Sequence, residues 1–225
     1  MDEGISSAVL FYIGPLPIHE TVVTTWLIML GLVVFCAMLT RRLSLQPGKW
    51  QTMLEGVVLT LEQAIANADP VNAQKLLPLI GTFWIFLPIA NLLGVIPGLN
   101  SPTRDLSVTA ALALVVFLSV HLYGIRQLGM SYFRHYLSPS PILLPFHIIS
   151  EFTRTIALAV RLFGNIMSLE MAALLILLVA GFLVPVPILM LHIIEALVQA
   201  YIFGMLALIY VAGAMQQVNP ATRPK

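Results

Sequence analysis

Arg161, Glu170, His192 and Glu195 are ionisable residues set inside long apolar stretches, with Asn165 and Gln199 as polar companions. A charge at the centre of a bilayer costs roughly 2.5–3.5 kcal/mol even on the insertion scale that treats it most leniently. Several charges in one stretch therefore demand pairing, contact with water or a function. Spacing sorts them. At about 100° per helical residue, Asn165 lies one turn from Arg161 on the same face and Glu170 lies nearly opposite. His192, Glu195 and Gln199 form one stripe at i, i+3 and i+7. Carboxylates and an imidazole can hand a proton along or line a wet cavity for a small cation. A guanidinium cannot give up its proton, because its pKa exceeds about 12. Arg161 is thus a poor relay and a good fixed positive barrier.

If the chain folds back near Gly181–Pro185, antiparallel pairing brings Glu170 to the level of His192 and Glu195 and brings Arg161 towards Gln199 or a little beyond. Purely structural roles are the alternatives. His192 and Glu195 could pair to fasten helices, and Arg161 could be the partner of Glu151 or Glu170. Asn165 and Ser168 could be polar contacts between helices. Arg154 is expected to snorkel to the interface, and His121 and His135 to be interfacial.

The elements that must hold these residues are membrane helices. Hydrophobic residues make up 59% of the 225 and charged residues 9%, where soluble domains carry about 25% charge. So few charges cannot cover a soluble surface, whereas lipid asks for no such cover. The net charge of +1 and the lack of a basic stripe argue against nucleic acid as a partner. A crossing needs roughly 20 apolar residues. Charge-free runs of that order lie between Glu20 and Arg41, Lys75 and Arg104, Asp105 and Arg126, from Met171 to Ile194 and from Ala196 to Thr222. The fold class expected is an all-α polytopic membrane protein of about five crossings. The expected divisions are a segment 1–20 outside, a first span 21–40, an amphipathic surface helix 48–69, spans two and three in 75–125, and a hairpin 141–216.

The surface helix rests on Trp50, Met53, Leu54, Val57, Val58, Leu61, Ala64 and Ile65 at helical spacing, with Gln51, Glu55, Glu62 and Asn67 between them and Leu59 as the misfit. Pro97-Gly98, Ser101-Pro102, Pro139 with Pro141, and Pro185 with Pro187 mark turns. The N-terminus lacks the basic region of a secretory signal, so the first apolar run reads as a span and not a leader. Arg41, Arg42, Lys49, Lys75, Arg126, Arg134, Arg223 and Lys225 fall on one side if the N-terminus is outside and the C-terminus cytoplasmic. Only Arg104, beside Asp105, falls on the other. The lone Cys36 excludes an intrachain disulfide and reads as a lipid- or core-facing residue.

The run Arg161-Leu162-Phe163-Gly164-Asn165 with Glu170 after it resembles a signature of subunit a of the F-type ATP synthase. Gln199-Ala200-Tyr201-Ile202-Phe203, with His192 before and Tyr210 after, resembles its second signature. Ser150-Glu151-Phe152-Thr153-Arg154 and Asn91-Leu92-Leu93-Gly94-Val95-Ile96-Pro97 are similar too, and the likeness covers roughly residues 20–215. It implies a stator subunit of the bacterial inner membrane beside a rotating ring of c subunits, with peripheral-stalk subunit b and other synthase subunits as partners. It also implies that the last two helices are long and strongly tilted around the ring. By matching positions, Arg161 would face the ring carboxylates and block leakage between two ion half-channels. Glu170 and His192 would match the polar pair of the half-channel open to the outside. Gln199 would match the glutamine close to the arginine, and Asn165 the asparagine one turn beyond it. Where His192 stands, a carboxylate is frequent in the family, so Glu195 one turn away is an additional acid able to substitute or assist. Proton and sodium both stay open as the coupling ion.

No phosphate loop of the Walker type occurs, so no nucleotide site or cofactor is expected in this chain. Neither H-E-x-x-H nor G-x-S-x-G occurs, which argues against an intramembrane hydrolase. His192 and Glu195 alone are too few ligands for a metal site. A stand-alone secondary transporter with a midplane Glu/His site is the other reading. It would suit an internal repeat, and the sequence shows none.

Overall fold

Backbone polar groups in hydrocarbon must bond within their own segment, so an apolar run of crossing length closes as a helix. The computed structural model describes residues 9–13, 16–41, 48–96, 101–129, 132, 144–180 and 186–216. A short antiparallel hairpin, β1 (Val9–Ile13) with β2 (Leu16–His19), comes first. Among the described residues six α-helices follow: α1 (Glu20–Thr40), α2 (Lys49–Ala68), α3 (Ala73–Leu92), α4 (Leu106–Leu128), α5 (Leu144–Ala180) and α6 (Val186–Gln216). Five of them, all but α2, are long and apolar enough to cross a membrane. The protein is an all-α polytopic membrane protein in its body. The hairpin is an addition to the sequence reading, which left 1–20 without structure. Its signal was present in Phe11-Tyr12-Ile13 before the turn pair Gly14-Pro15.

The core forms where α3 packs on α6 and α4 packs on α5 and α6. Leu76, Ile80 and Leu87 of α3 meet Phe203, Ala207, Leu208 and Val211 of α6, with Val116 of α4 and Leu162 of α5 completing the cluster. Phe83 and Phe203 pack edge to face with ring centroids 5.4 Å apart. Next to them, Gly204 lets the indole of Trp84 lie directly on the α6 backbone. There the Trp84 Nε1–H donates to the Tyr201 carbonyl at 3.2 Å, and the ring stacks on Tyr201.

The outer helices are held differently. α1 shows most of its side chains, including Trp26, Leu30, Val33 and Phe35, to the surroundings, as a lipid-facing helix does. Cys36 shares that exposure. A polar tie, Thr21 Oγ1–H to Asp105 Oδ2 at 2.9 Å, joins α1 to the start of α4. α2 touches the core through Leu61, Ala64 and Ile65. Trp50, Met53, Val57 and Val58 stay exposed, as does the misfit Leu59. The buried Asp69 ends α2 and turns the chain into α3 by accepting from the Val71 and Asn72 amides and from the Asn72 side chain. Gly129 closes α4 at φ 57°, a backbone region that glycine adopts without strain.

The length of the last two helices decides their posture. α5 has 37 residues and α6 has 31. At a rise of about 1.5 Å each, they run roughly 55 and 46 Å. The hydrocarbon core is about 30 Å thick, so both exceed an upright crossing, an excess that a lean from the membrane normal accommodates. The turns read from Pro97-Gly98, from Pro139 and Pro141 and from Pro185 lie outside the described residues, as does His135.

Candidate functional site

The connection between α3 and α4 builds one wall of the site. α3 passes into a 3-10 turn, Leu93–Val95, and a second 3-10 turn, Pro102–Arg104, leads to α4. Asp105 caps α4, accepting from the Ser107 amide at 2.9 Å and from the Ser107 hydroxyl at 2.8 Å. Behind this turn runs a fully buried polar chain. Ser101 Oγ–H donates to the Ala90 carbonyl at 3.0 Å, and Ser101 Oγ lies 2.7 Å from Thr103 Oγ1. Thr103 Oγ1–H donates to Asn91 Oδ1 at 2.8 Å, and Asn91 Nδ2–H donates to the Ala196 carbonyl of α6 at 3.2 Å. Buried polar groups are retained when they are bonded. These four bonds fix the turn against both α3 and α6.

From that wall Arg104 reaches α5. Its Nη1 lies 3.5 Å from Glu170 Oε2, with the two side chains 30% and 13% exposed. The other carboxylate oxygen, Glu170 Oε1, is buried and unbonded among the described residues, and so is Nε2 of His192. The two groups border one residue. A methyl built on Gly94 would sit 2.9 Å from Glu170 Oε1 and 3.6 Å from His192 Cε1. Glycine at 94 thus lets an imidazole and a carboxylate from different helices approach the same stretch of backbone. His192 is itself almost wholly buried, at 1% exposure.

Deeper along the same two helices, Asn165 Nδ2–H donates to Gln199 Oε1 at 2.8 Å. Gln199 Nε2 is buried and unbonded among the described residues. The helix fold-over predicted Arg161 near Gln199; Asn165, one turn on, is what meets it. Arg161 is on the exposed side of α5 and has no ion pair among the described residues. Beside it at i+3, Gly164 opens onto empty space, and Ala157 at i−4 is exposed as well. Glu195 is half-buried on α6 between His192 and Gln199, without a hydrogen bond or ion pair among the described residues.

The structural partners considered for Arg161 are both taken. Glu151 pairs with Arg154 at 3.8 Å, and Glu170 pairs with Arg104. Arg154 does not simply snorkel: its guanidinium also lies over the Tyr210 ring, 5.1 Å from the centroid. His121 is half-buried, with Nδ1 2.9 Å from the Phe117 carbonyl and its ring against Phe117 and Tyr132. Sequence reasoning missed Arg104, Gly94, Asn91, Ser101 and Thr103. Arg104 was visible as the one basic residue on the unexpected side. A charge breaking an otherwise consistent pattern was the signal that it had a partner. Among the described residues no three metal-ligating side chains cluster.

Fold and site together define a polytopic helical membrane protein with ionisable side chains gathered inside its spans. The family model described as ATP synthase A chain matches residues 22–212. This chain belongs to that ATP synthase subunit a family. It is 83% identical over 219 residues to ATP synthase subunit a 1 of Hahella chejuensis, covering 97% of this chain and 94% of that one. It is 56% identical to ATP synthase subunit a of Legionella pneumophila over 96% of this chain and 94% of that one. To ATP synthase subunit a of Nitrosospira multiformis it is 44% identical over 89% and 81% of the two chains.

Proposed function

We propose that this chain is the membrane stator subunit of a rotary ATP synthase, holding two ion half-channels and the arginine that faces the c ring. The observation that carries the reading is Arg161. It is a permanent cation on the exposed face of a membrane helix, with no counter-charge among the described residues of its own chain. Lipid cannot neutralise it. A carboxylate from another chain can, and the small residues Ala157 and Gly164 beside it leave room for that chain to come close. A ring carboxylate arriving at Arg161 is held ionised and releases its ion. The same fixed charge repels a free cation and separates the two half-channels.

The half-channel open to the outside runs past Glu170 and His192. Their unbonded polar atoms offer an acceptor and an imidazole nitrogen to a cation or to water. Glu195 continues the stripe towards the ring. The Asn165–Gln199 bond clamps α5 to α6 one turn from Arg161 and holds the barrier at a constant distance from the channel. The C-terminus is cytoplasmic, the N-terminus outside, and the partners are the c ring, subunit b and the remaining synthase subunits in the bacterial inner membrane. The chain contributes ion translocation and no nucleotide chemistry.

The test is Arg161→Ala in the assembled complex. ATP-driven ion pumping is lost while the subunits still copurify. Retained pumping would remove Arg161 from the mechanism. Ion transport by the purified chain alone in liposomes would instead favour the stand-alone transporter.

A further inference from the structure

Arg104 has no place in the scheme above, yet it is the residue paired with the outer carboxylate. We propose that Arg104 is a charge-setting positioning residue of the outer half-channel. Its guanidinium occupies the cation position on Glu170, so that a translocated ion reaches the carboxylate only in competition with it. The proposal rests on Glu170 belonging to that half-channel.

Three observations carry it. The first is anchorage. The Arg104 amide bonds to the Ser101 carbonyl at 3.1 Å, and Ser101 and Thr103 are fully buried in the chain of bonds to Ala90, Asn91 and Ala196. The root of the arginine is thereby fixed to α3 and α6, the helices flanking the site.

The second is the state of Glu170. One carboxylate oxygen faces Arg104, while the other is buried beside Gly94 and unbonded among the described residues. That oxygen and Nε2 of the nearly fully buried His192 are two buried polar atoms, unbonded among the described residues, on side chains from different helices that both border Gly94. Buried polar groups are kept where they find bonding partners, which water or a passing ion can supply here.

The third is the census of charges around Glu170. The turn supplies Arg104, together with Asp105, which is engaged by Ser107 and Thr21. α6 supplies His192, with Glu195 one turn along. α3 and the 3-10 turn after it supply only Asn91 and Gly94, α4 begins at the Asp105 cap, and α1 contributes Thr21. Among the described residues Arg104 is thus the permanent positive charge at this site. It is also the more exposed member of the pair. A second cation on Glu170 stands next to a guanidinium that cannot deprotonate, so each ion must displace Arg104 or tolerate its repulsion. The pair keeps the mouth of the half-channel electrically neutral at rest and lowers its affinity for the ion, which favours fast release towards the ring.

The test uses the whole synthase reconstituted in liposomes with its catalytic head outward, so that the outer half-channel faces the lumen. ATP synthesis is driven by an imposed potential. Its rate is followed against lumenal proton concentration at fixed sodium, then against lumenal sodium at fixed pH. In Arg104→Gln the concentration of coupling ion for half-maximal rate falls about tenfold, whereas Arg104→Lys stays within about twofold of wild type. Arg104→Met and Arg104→Ala shift the same way, and any neutral variant that assembles decides the matter. A neutral variant that assembles and half-saturates like wild type overturns the proposal. Failure of the whole neutral set to assemble, with Arg104→Lys assembling, assigns Arg104 to structure and also overturns it. A wild-type complex with no dependence on either lumenal cation refutes the half-channel reading itself, a different result from an unshifted variant beside a saturable wild type.

Discussion

Replacing Gly94 by alanine should close the outer site without unfolding the protein. The backbone permits the change, because Gly129 is the only described glycine with positive φ. Any effect at Gly94 must therefore come from the added carbon. That carbon would lie 3.0 Å from Ser101 Cβ and 2.9 Å from Glu170 Oε1. Carbon atoms in contact prefer roughly 3.5–4.0 Å, so each neighbour must retreat by about half an ångström or more. Ser101 resists, being fixed by its bonds to Ala90 and Thr103. The carboxylate is the far end of a flexible side chain and yields first. It moves away from His192 and into its pairing with Arg104. Overpacking of this kind costs about 1–3 kcal/mol, and if it falls wholly on the conducting arrangement it slows ion flow by roughly 5- to 150-fold. Gly94→Val, with two more carbons, should abolish flow. The assay is ATP-driven ion pumping in inverted membrane vesicles, with copurification of the other subunits as the measure of assembly. Wild-type pumping by a fully assembled Gly94→Val complex would refute the placement of Glu170 and His192 around this residue.

Two further outcomes follow from the packing. Gln199→Leu removes the acceptor of the Asn165 amide and leaves that donor unpaired in a membrane interior, at about 1–3 kcal/mol; coupled pumping falls while passive ion leak through the complex rises, measured as proton or sodium flux without ATP. Gly204→Ala drives a methyl into the Trp84 indole that is held on Tyr201. Its thermal stability in detergent drops, and Gly204→Ala combined with Trp84→Phe recovers part of the loss, because the smaller ring frees the space; a double variant no more stable than the single one would refute this contact.

The sequence by itself determined the kind of protein and the number of its crossings. Those are local properties: about 20 apolar residues suffice to specify a span, and the insertion cost singles out a charge such as Arg161 or Glu170 wherever it sits in that run. Helical spacing likewise placed His192, Glu195 and Gln199 on one stripe. Only the tertiary structure decided which polar groups meet. The Arg104–Glu170 pair joins residues 66 positions apart, and the Asn91 bond to Ala196 joins residues 105 apart. Asn165, one turn past Arg161, is what bonds to Gln199, a difference set by the relative slide of α5 and α6, which hydropathy does not encode. Charge counting by loops took Arg104 for a stray because it registers the side of the membrane and not the partner. The same residues first picked out as charges in lipid thus divide by packing. Among the described residues Arg161 is left facing outward without a counter-charge, while Glu170 already has one, supplied by a turn that the sequence marked by Pro97-Gly98 and Ser101-Pro102.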